Sequence, residues 1–149
     1  MPNQEIIRNR ANIYVKNGDT GVYLYTNSLG HKLPKILQKA LLRGKSKWGN
    51  TNVLTRVIFS EMIQNDVLGN DGFSISTQIS DNDHLILAVN DQKEIVGICG
   101  ESGRCYKRWN FEKYLNIEES RMTWEVISGN SRFEDDSNNT HYGAPIFDF

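Results

Sequence analysis

The sequence predicts an α+β fold, a mostly antiparallel sheet with two helices packed on one face. Three observations lead there. Apolar residues alternate with period two through "ANIYVKNGDTGVYLYT", shift to helical spacing between residues 33 and 63, and return to period two from "FSIST" onward. A hairpin, then helices, then strands is the segregated order of α+β chains, not the strict strand-helix alternation of a parallel sheet.

The first element is a hairpin. Two β-branched and aromatic runs flank Asn17-Gly18-Asp19, a strong turn signal. Ala11, Ile13 and Val15 share one face of the first strand, with Asn12, Tyr14 and Lys16 on the other. In the second strand Val22 and Leu24 alternate with Tyr23 and Tyr25, so one face is aliphatic and the other tyrosine-rich.

After "NSLGHK" a helix is expected from Pro34 to Arg43. Pro34 suits the first turn, where an N–H has no intrahelical partner to lose, and Gly44 suits the stop. Leu33, Ile36, Leu37, Ala40 and Leu41 form its apolar side. A second helix, capped by Asn50 or Thr51, runs through "NVLTRVIFSEMIQND" with Leu54, Val57, Ile58 and Met62 turned inward, and "GNDG" ends it. Strands are expected at "FSISTQI", "HLILAV" and "EIVGICG", the last two forming a hairpin over residues 84 to 99. "WNFEKYLNI" reads as a short helix capped by Asn110, and "RMTWEVIS" as a final strand. Residues 1–129 make a single α+β domain. Residues 130–149 form a polar, acidic tail that turns aromatic and is either loose or docked by Ile146, Phe147 and Phe149.

Composition limits the function. With 149 residues, 38% of them hydrophobic, the chain can bury one real core. A net charge of -1 excludes the global positive field of non-specific nucleic-acid binders, so nucleic acid is not the expected partner and any anion must be drawn by a local patch. No run reaches the roughly 18 apolar residues of a membrane span, and "MPNQEIIRNR" lacks the apolar core of a secretion signal. An intracellular protein is expected, with Cys99 and Cys105 as reduced thiols, Cys99 ending an apolar strand and Cys105 incidental. A C-x5-C without a second ligand pair is a poor zinc signature, so no metal or cofactor is expected.

Charge placement is more telling. Lys35, Lys39 and Arg43 are spaced four apart and stack opposite the leucines of the first helix, and Lys32, Lys45 and Lys47 extend the cluster. Six bases and no acid lie between residues 32 and 47, whereas residues 110–149 carry eight acids to three bases. The stripe is open to three readings: a solvated helix face, a surface for an anionic partner, or a contact for the tail's "EDD", within one subunit or between two.

The turn "YTNSLGHKLP" joins a strand to a helix N-terminus and supplies Thr26, Asn27, Ser28, His31 and Lys32. Free backbone amides there would hold a phosphate or carboxylate with Lys32 beside it. Alternatively Thr26, Asn27 and Ser28 satisfy a tight turn and His31 is exposed; the spacing matches no phosphate-binding loop of the G-x-x-x-x-G-K-[ST] kind. The three histidines lie in separate segments, so a nucleophile–base pair, Ser28 with His31 or Cys105 with His141, would have to be made in space. Glu61 reads as a helix-edge glutamate with its carboxylate in water. Tyr23 and Tyr25, with Tyr14 across the hairpin, are either a recognition surface or core beneath the helices.

The stretch "RANIYVKNGDTGVYLYTNSLGHKLPKILQKALLRGKSKWGNTNVLTRVIFSEMI", followed by "GFSIST", resembles a family of small, largely uncharacterised proteins encoded by bacteria, phages and mobile elements. The resemblance covers roughly residues 9 to 98. In that family the segment after "YLYT" often begins with His-Trp and glycines; here Asn27, Ser28 and Leu29 stand at those places and Gly30 remains, which implies that a site built on that histidine is altered or absent. The resemblance implies a phage or mobile-element setting, in the cytoplasm of a bacterial host, more than a reaction.

The expected function is a non-enzymatic binding protein, a counter-defence or host-takeover factor that captures a host protein or a small nucleotide signal. Its site would combine Tyr23, Tyr25, Thr26, Asn27, Ser28, His31, Lys32, Lys35, Lys39 and Arg43. One alternative is a small hydrolase or phosphodiesterase at the strand-helix turn, using His31 and Ser28. Another is a structural protein whose acidic tail completes a homo-oligomer.

Overall fold

Gly18, with φ at 63°, takes the left-handed conformation that favours glycine and closes the opening hairpin between β1 (Ala11–Asn17) and β2 (Thr20–Thr26). In a computed structural model that describes residues 9–64, 68 and 72–129, this hairpin sits inside a six-stranded sheet. The remaining strands are β3 (Phe73–Ser76), β4 (Ile86–Asn90), β5 (Ile95–Cys99) and β6 (Cys105–Asn110), and the spatial order is β3-β2-β1-β4-β5-β6. The β1–β4 pair is parallel and the other neighbours are antiparallel. The helices are α1 (Leu33–Arg43), α2 (Thr51–Ile63), α3 (Phe111–Leu115) and α4 (Trp124–Ile127).

The aliphatic face of β1 and β2 carries the core. Ile13, Val15, Leu24, Leu87 and Val96 meet Leu37 and Leu41 of α1 and Leu54 and Ile58 of α2 in one buried cluster. Each such side chain contributes about 1.5–3 kcal/mol by leaving water. Asn50 caps α2 by accepting from the Val53 amide at 3.3 Å, and Asn110 caps α3 by accepting from Lys113 at 2.7 Å, as their positions foretold. The α+β class holds, with the expected short helix α3 and the unexpected α4 packing over the same core as α1 and α2 through Phe111, Tyr114, Trp124 and Ile127.

Several expectations need correction. "RMTWEVIS" is not a strand: a 3-10 turn (Glu119–Arg121) leads to α4, where Thr123 accepts from the Val126 amide at 3.3 Å and Trp124 and Ile127, one helical turn apart, both face the core. The strand at "FSISTQI" ends at Ser76. An unexpected edge strand, β6, begins at Cys105, its apolar signal diluted by exposed Lys107 and Arg108. Because β6 pairs with β5, Cys99 stands opposite Cys105 at a Cα separation of 3.9 Å and the two form a disulfide. They are therefore not the free thiols expected, and Cys105 is not incidental.

The sheet order forces one further feature. β3 lies at the outer edge and β4 on the far side of β1, so residues 77–85 must cross β2 and β1. They cross on the tyrosine face, where Ile79 packs with Tyr14 and Tyr23 and the Ser80 carbonyl accepts from Asn12 Nδ2 at 3.1 Å. Among the described residues no helix is long and apolar enough to cross a membrane. The expected docking of Ile146, Phe147 and Phe149 lies outside the described residues, as do the "EDD" run and His141.

Candidate functional site

The strand-helix turn spends its amides on the chain itself. Thr26 Oγ1, buried at the end of β2, accepts from the amides of Ser28 at 3.3 Å and Leu29 at 3.1 Å. The Asn27 amide donates to the Gly72 carbonyl at 3.0 Å, that of Gly30 to the Asn9 carbonyl at 2.8 Å, and that of Lys32 to the Leu29 carbonyl at 2.9 Å. The Leu33 amide donates to the Gly30 carbonyl, closing a 3-10 turn (Gly30–Lys32) ahead of α1, and Pro34 has no N–H to offer. The amides of Asn27, Ser28, Leu29, Gly30, Lys32 and Leu33, most of the donors expected to hold an anion, are thus engaged by carbonyls and a hydroxyl.

The histidines are brought together in a way their sequence spacing hid. Asn9 Nδ2 donates to His31 Nδ1 at 2.7 Å, while Asn9 Oδ1 accepts from His84 Nε2 at 2.5 Å. One amide thus bridges two imidazoles 53 positions apart in sequence and fixes the same tautomer in both, His31 and His84 each protonated on Nε2. His84 also stacks on Trp124, centroids 5.4 Å apart and planes within 7°. Burial lowers the His84 pKa; Asp83 opposes that, His31 reinforces it and Glu125 opposes it. Ser28 does not join this set: its Oγ is buried without a hydrogen-bond partner, and His31 Nδ1 is already occupied by Asn9. Cys105 is held in the disulfide.

The tyrosine face is core. Tyr23 is 4% exposed and Tyr14 8%, their rings 4.8 Å apart and tilted by 54°. Burial, with Tyr14 and Glu101 nearby, pushes the Tyr23 phenol up to about 12, so it stays protonated at neutral pH. Tyr25 is half-buried. The cover is the 77–85 crossing, since the helices occupy the opposite face.

What remains open to solvent is the basic face of α1. Three of its six bases find acids: Arg43 with Glu61 at 2.7 Å, Lys45 with Glu112 at 3.1 Å, and Lys35 with Glu119 at 3.9 Å. Glu61 keeps only 9% of its side chain exposed, so its carboxylate is not in water as expected but held by Arg43 against α2. Glu112 and Glu119 come from the acid-rich C-terminal third, so part of the stripe's compensation is internal. The exposed Lys35–Glu119 and Lys45–Glu112 pairs contribute about 0–1 kcal/mol each and do not erase the local field. Lys32, Lys39 and Lys47 are exposed and stand in no ion pair among the described residues. Leu42, one turn beyond Lys39, is 63% exposed.

Beside it a cavity of about 350 Å³ opens between the end of α1 and α2, lined by Arg43, Arg56, Phe59, Ser60, Ile63 and Gln64. Arg56 and Phe59 were missed in the sequence because they sit on the flank of α2, between its buried stripe and its polar side. Among the described residues no three His, Cys, Asp or Glu side chains are grouped to hold a metal ion. No protein-family model, curated protein or solved structure matches the chain.

Proposed function

We propose that the protein is a non-enzymatic binding protein that captures an acidic protein through the outer face of α1. In the phage or mobile-element setting implied by the resemblance, that partner is a host protein and its capture serves counter-defence or host takeover. The observation that carries the reading is the exposure of Lys32, Lys39 and Lys47 without ion-pair partners among the described residues, with the apolar Leu42 standing exposed among these bases. A charged rim around an apolar anchor is how protein interfaces are built, and complementary charge raises the encounter rate. A net charge of -1 argues against nucleic acid as the partner. The hydrolase reading loses support because Ser28 and His31 do not meet and most of the turn's amides are engaged.

The test is a double substitution, Lys35→Glu with Lys39→Glu. Arg43 is left alone because it holds Glu61 in place. Immobilised protein, with lysate nuclease-treated, should retain an acidic protein that salt releases; the variant should lose it at an unchanged Tm. Identical sets of retained proteins on both would refute the α1 face as the capture surface.

A further inference from the structure

A second cavity, of about 280 Å³, lies between β6, the 116–121 segment and α4, and it has a chemistry that the capture of a protein by α1 does not use. One wall is the half-buried Trp109 indole, braced by a T-shaped contact with Tyr114 at 5.7 Å between centroids and carrying the Lys107 ammonium 5.1 Å from its own centre. Ile117 and Ile127 supply apolar floor. Asn116, Glu118 and Arg121 line the remainder.

Lys107, Arg121 and Glu118 line the same small space, yet none stands in an ion pair among the described residues. Two cations, a carboxylate and a carboxamide around one flat aromatic wall are thus left to act on a guest. An indole stacks on any nucleobase, and Lys and Arg bind phosphate. A carboxylate has two acceptor oxygens, which suits a base edge with two adjacent N–H donors. Guanine presents such an edge through N1–H and its 2-amino group, whereas adenine sets its amino group beside a bare nitrogen acceptor. Asn116 adds a donor for the guanine O6. The volume of about 280 Å³ lies just below the roughly 300–1,000 Å³ typical of ligand pockets, which limits the guest to one nucleotide unit.

We propose that this cavity binds a guanine mononucleotide, with Trp109 stacking the base, Glu118 reading its edge, and Lys107 and Arg121 holding the phosphate. Lys107 leaves the indole face for the phosphate when the base arrives. No bond is made or broken.

Calorimetric titration of the full chain with GMP, AMP and inorganic phosphate tests this. GMP should bind about tenfold or more tighter than AMP, and phosphate more weakly than either. Glu118→Gln, at an exposed position, should remove the preference for GMP while the chain stays folded. Trp109→Phe should weaken both nucleotides and abolish the fluorescence quenching that GMP produces in the parent. Absence of binding by millimolar GMP would overturn the proposal, as would equal binding of GMP, AMP and phosphate, or a Glu118→Gln variant that keeps the preference.

Discussion

The indole N–H of Trp124 donates to the carbonyl oxygen of Gly30 at 2.8 Å, joining α4 to the turn before α1 across 94 residues of sequence. Both partners are buried, so the bond is part of the core and not of the solvated rim.

Trp124→Phe keeps most of the ring but removes the donor. The Gly30 carbonyl keeps the Leu33 amide as a donor, so losing the indole bond should cost about 0.5–1.5 kcal/mol, seen as a Tm fall of about 3 °C per kcal/mol in a chain of this size. An unchanged melting curve by circular dichroism would show that this bond contributes nothing.

Gly30 is also constrained by space. A Cβ there would meet the Asn9 carbonyl oxygen at 2.5 Å and His84 Cδ2 at 2.8 Å. Because one obstacle is backbone, Gly30→Ala should destabilise by about 1–3 kcal/mol through overpacking and loosen the Asn9 bridge. Urea denaturation should show a lower midpoint at an unaltered slope. A wild-type midpoint would mean that the segment around Asn9 yields freely.

His84 makes stability depend on pH in a defined direction. Its pKa is lowered in the folded state, mainly by burial, so the unfolded chain takes up the proton first as pH falls. Stability is therefore full well above the unfolded value of about 6.5 and declines as pH falls through that value toward the lowered folded one. Asp83, His31 and Glu125 face the ring and set the depth of the decline. Asp83, its own pKa lowered chiefly by hydrogen bonds from Arg10, acts further down, below its ordinary value of 3.8. Thermal melts across the window should show a shallower loss for His84→Gln than for the parent; parallel curves would contradict the assignment.

The Cys99–Cys105 disulfide closes a short loop of the β5–β6 hairpin. Chain entropy assigns such a loop about 2 kcal/mol. Reduction should lower the Tm accordingly, and Cys99→Ser with Cys105→Ser should match the reduced parent in either buffer. Alkylation followed by mass spectrometry should label the cysteines only after denaturation with reductant. Labelling before reduction would show free thiols and remove the effect.

Much of the fold was legible because its signals are local. The Asn17-Gly18-Asp19 turn, the switch of period at Leu33, and the Asn50 and Asn110 caps each depend on residues within one or two turns of chain. "RMTWEVIS" misled because a four-residue helix offers Trp124 and Ile127 only once, and a single i, i+3 repeat does not separate helix from strand. β6 stayed hidden because an edge strand with Lys107 and Arg108 outward lacks a second apolar repeat.

The candidate site was legible only as charge. The alignment of Lys35, Lys39 and Arg43 follows from helix geometry once α1 is granted. Which of those bases stay free does not, because Glu61, Glu112 and Glu119 arrive from other elements.

By itself the sequence determined the opening hairpin, α1 and α2 with their buried faces, the β4–β5 pair, the Asn110 cap and the basic stripe, since these rest on periodicity and capping between near neighbours. The tertiary structure decided the rest. The strand order sends residues 77–85 over Tyr14 and Tyr23 and makes core of what alternation alone left open. Packing brings Asn9 between His31 and His84, and sets Trp109, Glu118 and Arg121 around one cavity. Such contacts join residues far apart in the chain, where loop closure and the competition among all possible partners, not local preference, select the neighbour.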